Sequence, residues 1–368
     1  MRFIPQTKVW GFLAWIYVKK YINIKFSLFY LMRRHYTGLN LVLGLVLIVS
    51  SFSVNSININ NLDLSKTDIS NFYFVHITDT HIMNKQFDKY EEYKQNFIRV
   101  LQEINKFKEK PAFVAITGDT VEWGDNDETG ALNYQTFLSC LYQKDGQLYA
   151  DQNFTIPVYT TPGNHDYLWG NSLKNYNNYL RSENKYVIDM GSVSLFFIDS
   201  GPNYYLEPQD WLRILGAGLF DEDIQWLEEQ LISHQSDKKI VFMHHPAVNY
   251  RDEKGMMIDV IARNRENFIQ LCEDYDIDLV LAGHSHNTVV YDGKENKYDD
   301  YPIVCSEYPT LFVQTDDCKQ NVNYRNVSVH SGDLIVQECI RIDFKPVCKG
   351  LTSNLILERF REILKDIF

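Results

Sequence analysis

The chain has 368 residues, of which 45% are hydrophobic, 23% charged and 14% aromatic, ample for a sizeable core and too apolar for a chain disordered in bulk. Formal net charge is −12; residues 1–62 carry seven of the 36 Lys/Arg and no Asp or Glu, so the remainder holds 29 basic and 48 acidic residues, a net −19. An acidic body of this kind argues against a protein that grips nucleic-acid backbone, and no nucleic-acid partner is expected.

Residues 1–54 stand apart. From Tyr36 to Leu62 there is no Asp, Glu, Lys or Arg, and Thr37–Val54 supplies 18 residues centred on the run Leu39–Val49, the lower limit for a membrane span. Arg33 and Arg34 precede it, which orients the N-terminal side to the cytoplasm. Ser51 and Ser53 have the spacing of a signal-peptidase site, and a start at Met32 gives an ordinary signal peptide. A cleaved signal and a retained membrane anchor both fit. Either makes the acidic body extracytoplasmic, secreted in the first case and membrane-anchored in the second. Residues 55–71 are polar, Asn-rich and read as a linker.

The globular part starts near Phe72 and alternates. Strands are predicted at Phe72–Ile77, Phe113–Thr117, Val158–Thr161, Leu195–Ile198, Ile240–Met243 and Leu279–Ala282. Helices are predicted at Asp88–Lys108, Asn133–Tyr142, from Asp221 as N-cap through Leu231, and at Arg263–Tyr275. In the first of them Phe97, Val100, Leu101, Ile104 and Phe107 share one face. From Pro302 on strands dominate, and they are expected to complete a second sheet packed on the first. Leu355–Phe368 reads as a charged amphipathic helix. The alternation points to one layered α/β domain over residues 72–345, followed by a C-terminal helical segment, 346–368. Cys140 and Cys272 read as buried thiols; the pairing of Cys305, Cys318, Cys339 and Cys348 stays open.

Five of the apolar runs end in metal-binding side chains. FVHI leads into Asp79-Thr80-His81, FVAI into Gly118-Asp119, and VYTT into Gly163-Asn164-His165-Asp166. IVFM leads into His244-His245-Pro246, and LVLA into Gly283-His284-Ser285-His286. Each motif alone is weak, since Gly-Asp is a common turn and a pair of histidines on one loop arises by chance. Their conjunction, each at a strand end, carries the argument. In open α/β sheets sites form beyond the carboxyl ends of the strands, so five such ends bring carboxylate, imidazole and amide donors together. Mixed nitrogen and oxygen donors suit Mn, Fe, Zn, Co or Ni rather than Mg or Ca alone.

The series D-X-H, G-D, G-N-H-D, H-X-P and G-H-X-H resembles the calcineurin-like metallophosphoesterase family over about Phe72–Asn287. The resemblance implies an α/β fold, a four-layer α/β/β/α sandwich of two mixed sheets flanked by helices. It also implies two divalent or trivalent transition-metal ions. Asp79, His81 and His286 would be ligands of one, Asn164, His244 and His284 of the other, and Asp119 the bridging carboxylate. The family's ligand stands two residues before the proline, which selects His244 over His245. His165 resembles the catalytic imidazole beside the substrate, oriented by Asp166. Glu122 stands where purple acid phosphatases carry a tyrosine ligand, and His81 is present where they lack one, so no ferric–tyrosinate centre is implied.

The implied reaction is hydrolysis of a phosphate ester by attack of a hydroxide bridging the two ions, with the imidazole assisting the leaving oxygen. The motifs leave monoester, diester, cyclic-nucleotide and pyrophosphate substrates open. They also leave open a membrane-attached lipid or cyclic-nucleotide phosphodiesterase and a non-catalytic metal-bearing scaffold. Trp123, Tyr167, Trp169, Asn249, Tyr250 and Asn287 follow the motifs and are candidates for the pocket wall.

Overall fold

Short runs rich in β-branched and aromatic residues form the sheets, and amphipathic helices cover them. The computed structural model describes residues 71–84, 88–125, 127–141, 154–167, 172–202, 217–248 and 260–342. The predicted signal or anchor, all but the last residue of the linker, and the predicted C-terminal helix lie outside them. Among the described residues no helix is long and apolar enough to cross a membrane.

In chain order the strands are β1 (Phe72–Ile77), β2 (Val114–Thr117), β3 (Val158–Thr161), β4 (Tyr186–Met190), β5 (Val193–Phe197), β6 (Lys238–Phe242), β7 (Leu279–Ala282), β8 (Val289–Asp292), β9 (Lys297–Tyr298), β10 (Ile303–Val304), β11 (Leu311–Gln314), β12 (Asn323–His330) and β13 (Asp333–Arg341). The helices are α1 (Asp88–Lys106), α2 (Glu128–Leu141), the single turn α3 (Asn164–Tyr167), α4 (Lys174–Tyr179), α5 (Asp221–Ser233) and α6 (Arg265–Asp274).

One sheet runs β10-β13-β12-β1-β2-β3 and the other β4-β5-β6-β7-β11-β8-β9. Both are mixed. β1, β2 and β3 are parallel to one another, as are β5, β6, β7 and β11. Side chains alternate between the faces of each sheet. Phe74, Phe113, Phe197, Phe242, Leu281, Val313 and Val327 form the core between the sheets. On the outer face of the first sheet Val75, Ile77 and Val114 pack with Phe97 and Leu101 of α1 and Phe137 of α2. On the outer face of the second, Phe196, Val241 and Val280 pack with Leu227 of α5 and Phe268 of α6. This is the expected four-layer sandwich.

Aromatic rings fill its middle. Phe242 is fully buried, stacked on Phe197 at 4.4 Å between ring centroids and edge-on to Phe74 at 5.6 Å. Phe242→Ala removes a ring that both sheets enclose, and should destabilise the domain by about 3–5 kcal/mol in urea denaturation. A loss below about 1 kcal/mol would show that the sheets close over the gap.

A polar tie links the sheets at the end where the motifs emerge. His76, fully buried, has Nδ1 2.8 Å from Thr315 Oγ1 and Nε2 2.8 Å from Thr117 Oγ1. Burial, and then the Arg325 charge, push its pKa down to about 3. A neutral imidazole donates one of these bonds and accepts the other, so both ring nitrogens are satisfied.

Two expectations are corrected, and the cysteine pairing left open is answered for three of the four residues. The C-terminal strands do not form one second sheet: β10, β12 and β13 extend the sheet of β1, whereas β11 inserts between β7 and β8 of the other. Asp221 does not cap α5; the N-cap is Phe220, whose N–H donates to Asp223 Oδ2 at 3.0 Å. Cys305, Cys318 and Cys339 form no disulfide with one another; like Cys140 and Cys272 they are free thiols. Cys348 lies outside the described residues.

Candidate metal centre

Three of the five motifs leave the first sheet, after β1, β2 and β3, and two leave the second, after β6 and β7. The site therefore sits at the shared end of the sandwich. The turns that carry it are tight. Asp79, His81, Asp119, His284 and His286 all have left-handed backbones, with φ between 46° and 62°. Asp and His tolerate this region better than most residues, yet each such residue costs about 1–3 kcal/mol and persists only where its surroundings fix it. Hydrogen bonds between the loops do so: His81 N–H donates to Asp119 C=O at 2.9 Å, and Gly283 N–H to His244 C=O at 3.0 Å. Glycine is needed where loops touch. A Cβ on Gly163 would stand 2.3 Å from the Asp119 backbone nitrogen, and one on Gly283 1.8 Å from Thr78 Oγ1.

The donor atoms converge around Asp119. Its Oδ2 lies 3.4 Å from His81 Nε2 and its Oδ1 3.3 Å from His244 Nε2. On the first side Asp79 Oδ1 is 3.2 Å from His286 Nε2 and 3.6 Å from His81 Nε2. On the second, His244 Nε2 is 3.1 Å from Asn164 Oδ1, and the His284 ring centroid is 5.1 Å from that of His244. Two ligands of one ion, each at about 2.1 Å, stand roughly 3.0 Å apart at a right angle and roughly 3.4 Å apart at a tetrahedral angle. The separations around Asp119 match that pattern. Asp79, His81 and His286 form one group able to hold a metal, and Asp79, Asp119 and His244 another.

Neighbouring groups aim these donors. His244 Nδ1–H donates to Thr117 C=O at 2.7 Å, and His81 Nδ1–H to Glu122 Oε2 at 2.7 Å. Each leaves Nε2 facing the cluster, as ligating imidazoles require. Asp79 and Asp119 are buried, which favours their neutral forms. His286 and His81 beside Asp79, and His244 and His165 beside Asp119, outweigh burial and hold both carboxyls well below the usual range. The carboxylates in turn outweigh burial at His244 and His81, lifting each to about 9, whereas burial and the His244 charge bring His284 down to about 3. In the His-His-Pro motif it is His244 that faces Asp119. His245 has Nδ1 2.8 Å from Ser200 Oγ, and its ring lies 4.3 Å between centroids from that of His284, with which it and His244 form a further group of donors.

His165 lies beside the cluster. Its backbone N–H donates to Asp119 Oδ1 at 2.8 Å and its ring centroid is 4.5 Å from that of His81. Asp166 does not orient it. Adjacent residues of a helical turn point about 100° apart, so the two side chains cannot face each other. The Asp166 carboxylate instead accepts from Tyr134 OH at 2.7 Å, Gly163 N–H at 2.8 Å and Thr120 N–H at 3.3 Å. It is a buried buckle between two motif loops, its pKa raised by burial and by Asp119 to about 7. The group that holds His165 is the Glu122 carbonyl, which accepts from Nδ1–H at 2.9 Å.

Two residues of the site escape sequence reasoning. Glu122, predicted only as a departure from a tyrosine pattern, fixes the His81 ring; its place three residues after Asp119, on the same loop, was the available signal. Lys319, whose Nζ is 2.9 Å from His81 Nε2, has no local signal at all. Of the proposed wall residues, Trp169, Asn249 and Tyr250 lie outside the described residues. Tyr167 donates its hydroxyl to Asp199, and Asn287 Nδ2–H donates to Ser285 C=O at 2.7 Å.

The family model for calcineurin-like phosphoesterases matches residues 72–288, a span that holds all five motifs. The chain belongs to the calcineurin-like phosphoesterase family. It is thereby a hydrolase of phosphoric esters, and the clustered donors are the candidate metal centre of that activity. A probable glycerophosphodiester phosphodiesterase GpdQ of Arcobacter nitrofigilis is 30% identical over 223 residues, covering 58% of this chain and 71% of that protein. A glycerophosphodiester phosphodiesterase GpdQ of Enterobacter lignolyticus is 25% identical over 247 residues, covering 64% and 78%. Among solved structures, purple acid phosphatase PPD1 from yellow lupin (Lupinus luteus) seeds is similar with a TM-score of 0.48 at 13% identity, over 74% of this chain and 51% of that one.

Proposed function

We propose that this chain hydrolyses phosphodiesters at a two-metal centre. One ion would be held by Asp79, His81 and His286, the other by Asn164, His244 and His284, and Asp119 would serve both. The observation that carries the reading is the position of Asp119, one carboxylate oxygen 3.4 Å from His81 Nε2 and the other 3.3 Å from His244 Nε2. Transition ions bound there supply Lewis acidity and a hydroxide nucleophile at neutral pH. The chain's own side chains do the rest. The imidazoles and carboxylates fix the spacing, Glu122 and Thr117 set the imidazole tautomers, and His165 serves the leaving oxygen.

The diester preference rests on the two relatives named as glycerophosphodiester phosphodiesterases. The test is turnover of bis(p-nitrophenyl) phosphate against p-nitrophenyl phosphate with Mn²⁺, followed by phosphate-linked product analysis on glycerophosphodiesters. Faster cleavage of the bis ester is expected. Faster cleavage of the monoester removes the diester reading, and turnover of neither supports a metal-bearing scaffold.

The catalytic body is placed outside the cytoplasm in this reading, following the charge-poor run after Arg33-Arg34. N-terminal sequencing of the mature protein separates a signal cleaved near Ser53 from a retained anchor, and an intact N-terminus on a cytoplasmic protein overturns both.

A further inference from the structure

We infer that Asp199 is a positioning residue for the half of the centre built on Asn164, His244 and His284. It acts through the Tyr167 hydroxyl, which it holds, and sets the separation of Asn164 from His244. Those two side chains come from different sheets, Asn164 following β3 of the first and His244 following β6 of the second. The 3.1 Å approach of Asn164 Oδ1 to His244 Nε2 is therefore a distance between sheets, and contacts that cross from one sheet to the other must fix it.

Asp199 belongs to the frame of His244. It stands two residues past Phe197, the end of β5, as His244 stands two past Phe242, the end of β6, and these strands are parallel neighbours. Ile198 N–H donates to Phe242 C=O at 2.9 Å, and His245 N–H to Ser200 Oγ at 3.0 Å. The residues on both sides of Asp199 are thus bonded to the segment that carries His244. The Asp199 carboxylate is buried and both its oxygens are in use. Oδ1 accepts from Gly201 N–H at 2.8 Å, and Oδ2 from Asn184 Nδ2–H at 2.6 Å and from the Tyr167 hydroxyl. Asn184, just ahead of β4, and Gly201, just after β5, adjoin strands of the second sheet, whereas Tyr167 arrives from the first.

Tyr167 closes α3, the turn that opens with Asn164. Residues three apart on a helical turn share a face, so a hold on Tyr167 is a hold on the side that carries Asn164. Other contacts of the turn bind it to its own sheet. His165 N–H donates to Asp119 Oδ1, and the Asp166 carboxylate accepts from Gly163 and Thr120 N–H. The Tyr167–Asp199 bond crosses to the other sheet, and it ties Asn164 to the frame that carries His244.

This inference rests on the two-metal reading, and one experiment separates them. Mn²⁺ binding to the full chain, Tyr167→Phe, Asp199→Ala and the double variant is measured by equilibrium dialysis and calorimetry. Tyr167→Phe deletes one oxygen and keeps the ring. The wild type should bind two ions. In each variant one ion should bind roughly 10-fold more weakly, the lower end of the loss when a group supporting a metal ligand is removed, and the other as tightly as before. The double variant should lose no more than the more affected single variant, since both changes break the same bond. Asn164→Ala identifies the ion concerned: the ion it retains should bind equally with and without Tyr167→Phe. A merely structural role would weaken both ions together or neither. Unchanged affinities in Tyr167→Phe, equal losses at both ions, or additive losses in the double variant overturn the role of Asp199 while leaving the metal centre standing. Failure of the wild type to bind two ions overturns the two-metal reading and the inference together. Should Asp199→Ala not fold, Tyr167→Phe alone decides, by whether one affinity falls and the other holds.

Discussion

Asp119→Ala is expected to empty both halves of the centre at once. Elemental analysis of the purified variant should find neither ion at the occupancy of the wild type. The reason is geometric. Among the described residues Asp119 is the one carboxylate whose two oxygens face different imidazoles, His81 at 3.4 Å and His244 at 3.3 Å. Alanine removes a donor from each side and the negative charge that lets two cations approach each other. Activity should fall by about 10³-fold or more, since Lewis-acid stabilisation is worth several kcal/mol and each factor of ten in rate is about 1.4 kcal/mol. His81→Ala serves as the contrast, because His81 faces Asp79 and Asp119 and is expected to empty mainly one half. Two ions retained in Asp119→Ala would remove the bridging assignment. Loss of one ion only would reduce Asp119 to a ligand of a single side.

The donors were legible in the sequence because each follows its strand by only a few residues. Asp79 is two residues past Ile77, Asp119 two past Thr117, His244 two past Phe242 and His284 two past Ala282. A strand end and its candidate donor form one local signal. The roles of Glu122 and Asp166 were less legible, because which atom a side chain reaches depends on a second segment. Asp166 reads as the partner of His165 in sequence, yet its hydroxyl donor is Tyr134, 32 residues earlier on α2. Lys319 is 238 residues from His81 and reaches it only through the way β11 and β12 are distributed between sheets. Alternation of side chains reveals that a segment is a strand and says nothing about which sheet it joins. That is why the C-terminal strands were legible as strands and their allocation was not. β4 was missed for a related reason: it is an edge strand whose Asp189 is exposed, so its apolar pattern is broken.

His165→Ala should separate leaving-group assistance from metal binding. In the structure the imidazole is held by its Nδ1–H on the Glu122 carbonyl, at 2.9 Å, which leaves Nε2 as the nitrogen able to act. Its backbone N–H on Asp119 Oδ1, at 2.8 Å, anchors it to the carboxylate shared by the two halves. Alanine preserves that backbone contact and deletes only the ring. The variant should therefore keep two ions per chain by elemental analysis. General acid help is worth roughly 10² to 10⁴ in rate, and it matters most when the departing alkoxide is strongly basic. An alkyl phosphodiester should lose activity across that range, while a nitrophenyl ester, whose phenolate leaves unaided, should lose far less. Equal losses on the two esters with both ions retained would assign His165 to stabilising charge on the phosphoryl oxygens. Loss of an ion would make it a ligand, as its grouping with His81 and Asp119 allows. The leaving-group dependence discriminates because the ring's influence on the metals and on the phosphoryl oxygens is the same for both esters, and only the demand for a proton differs.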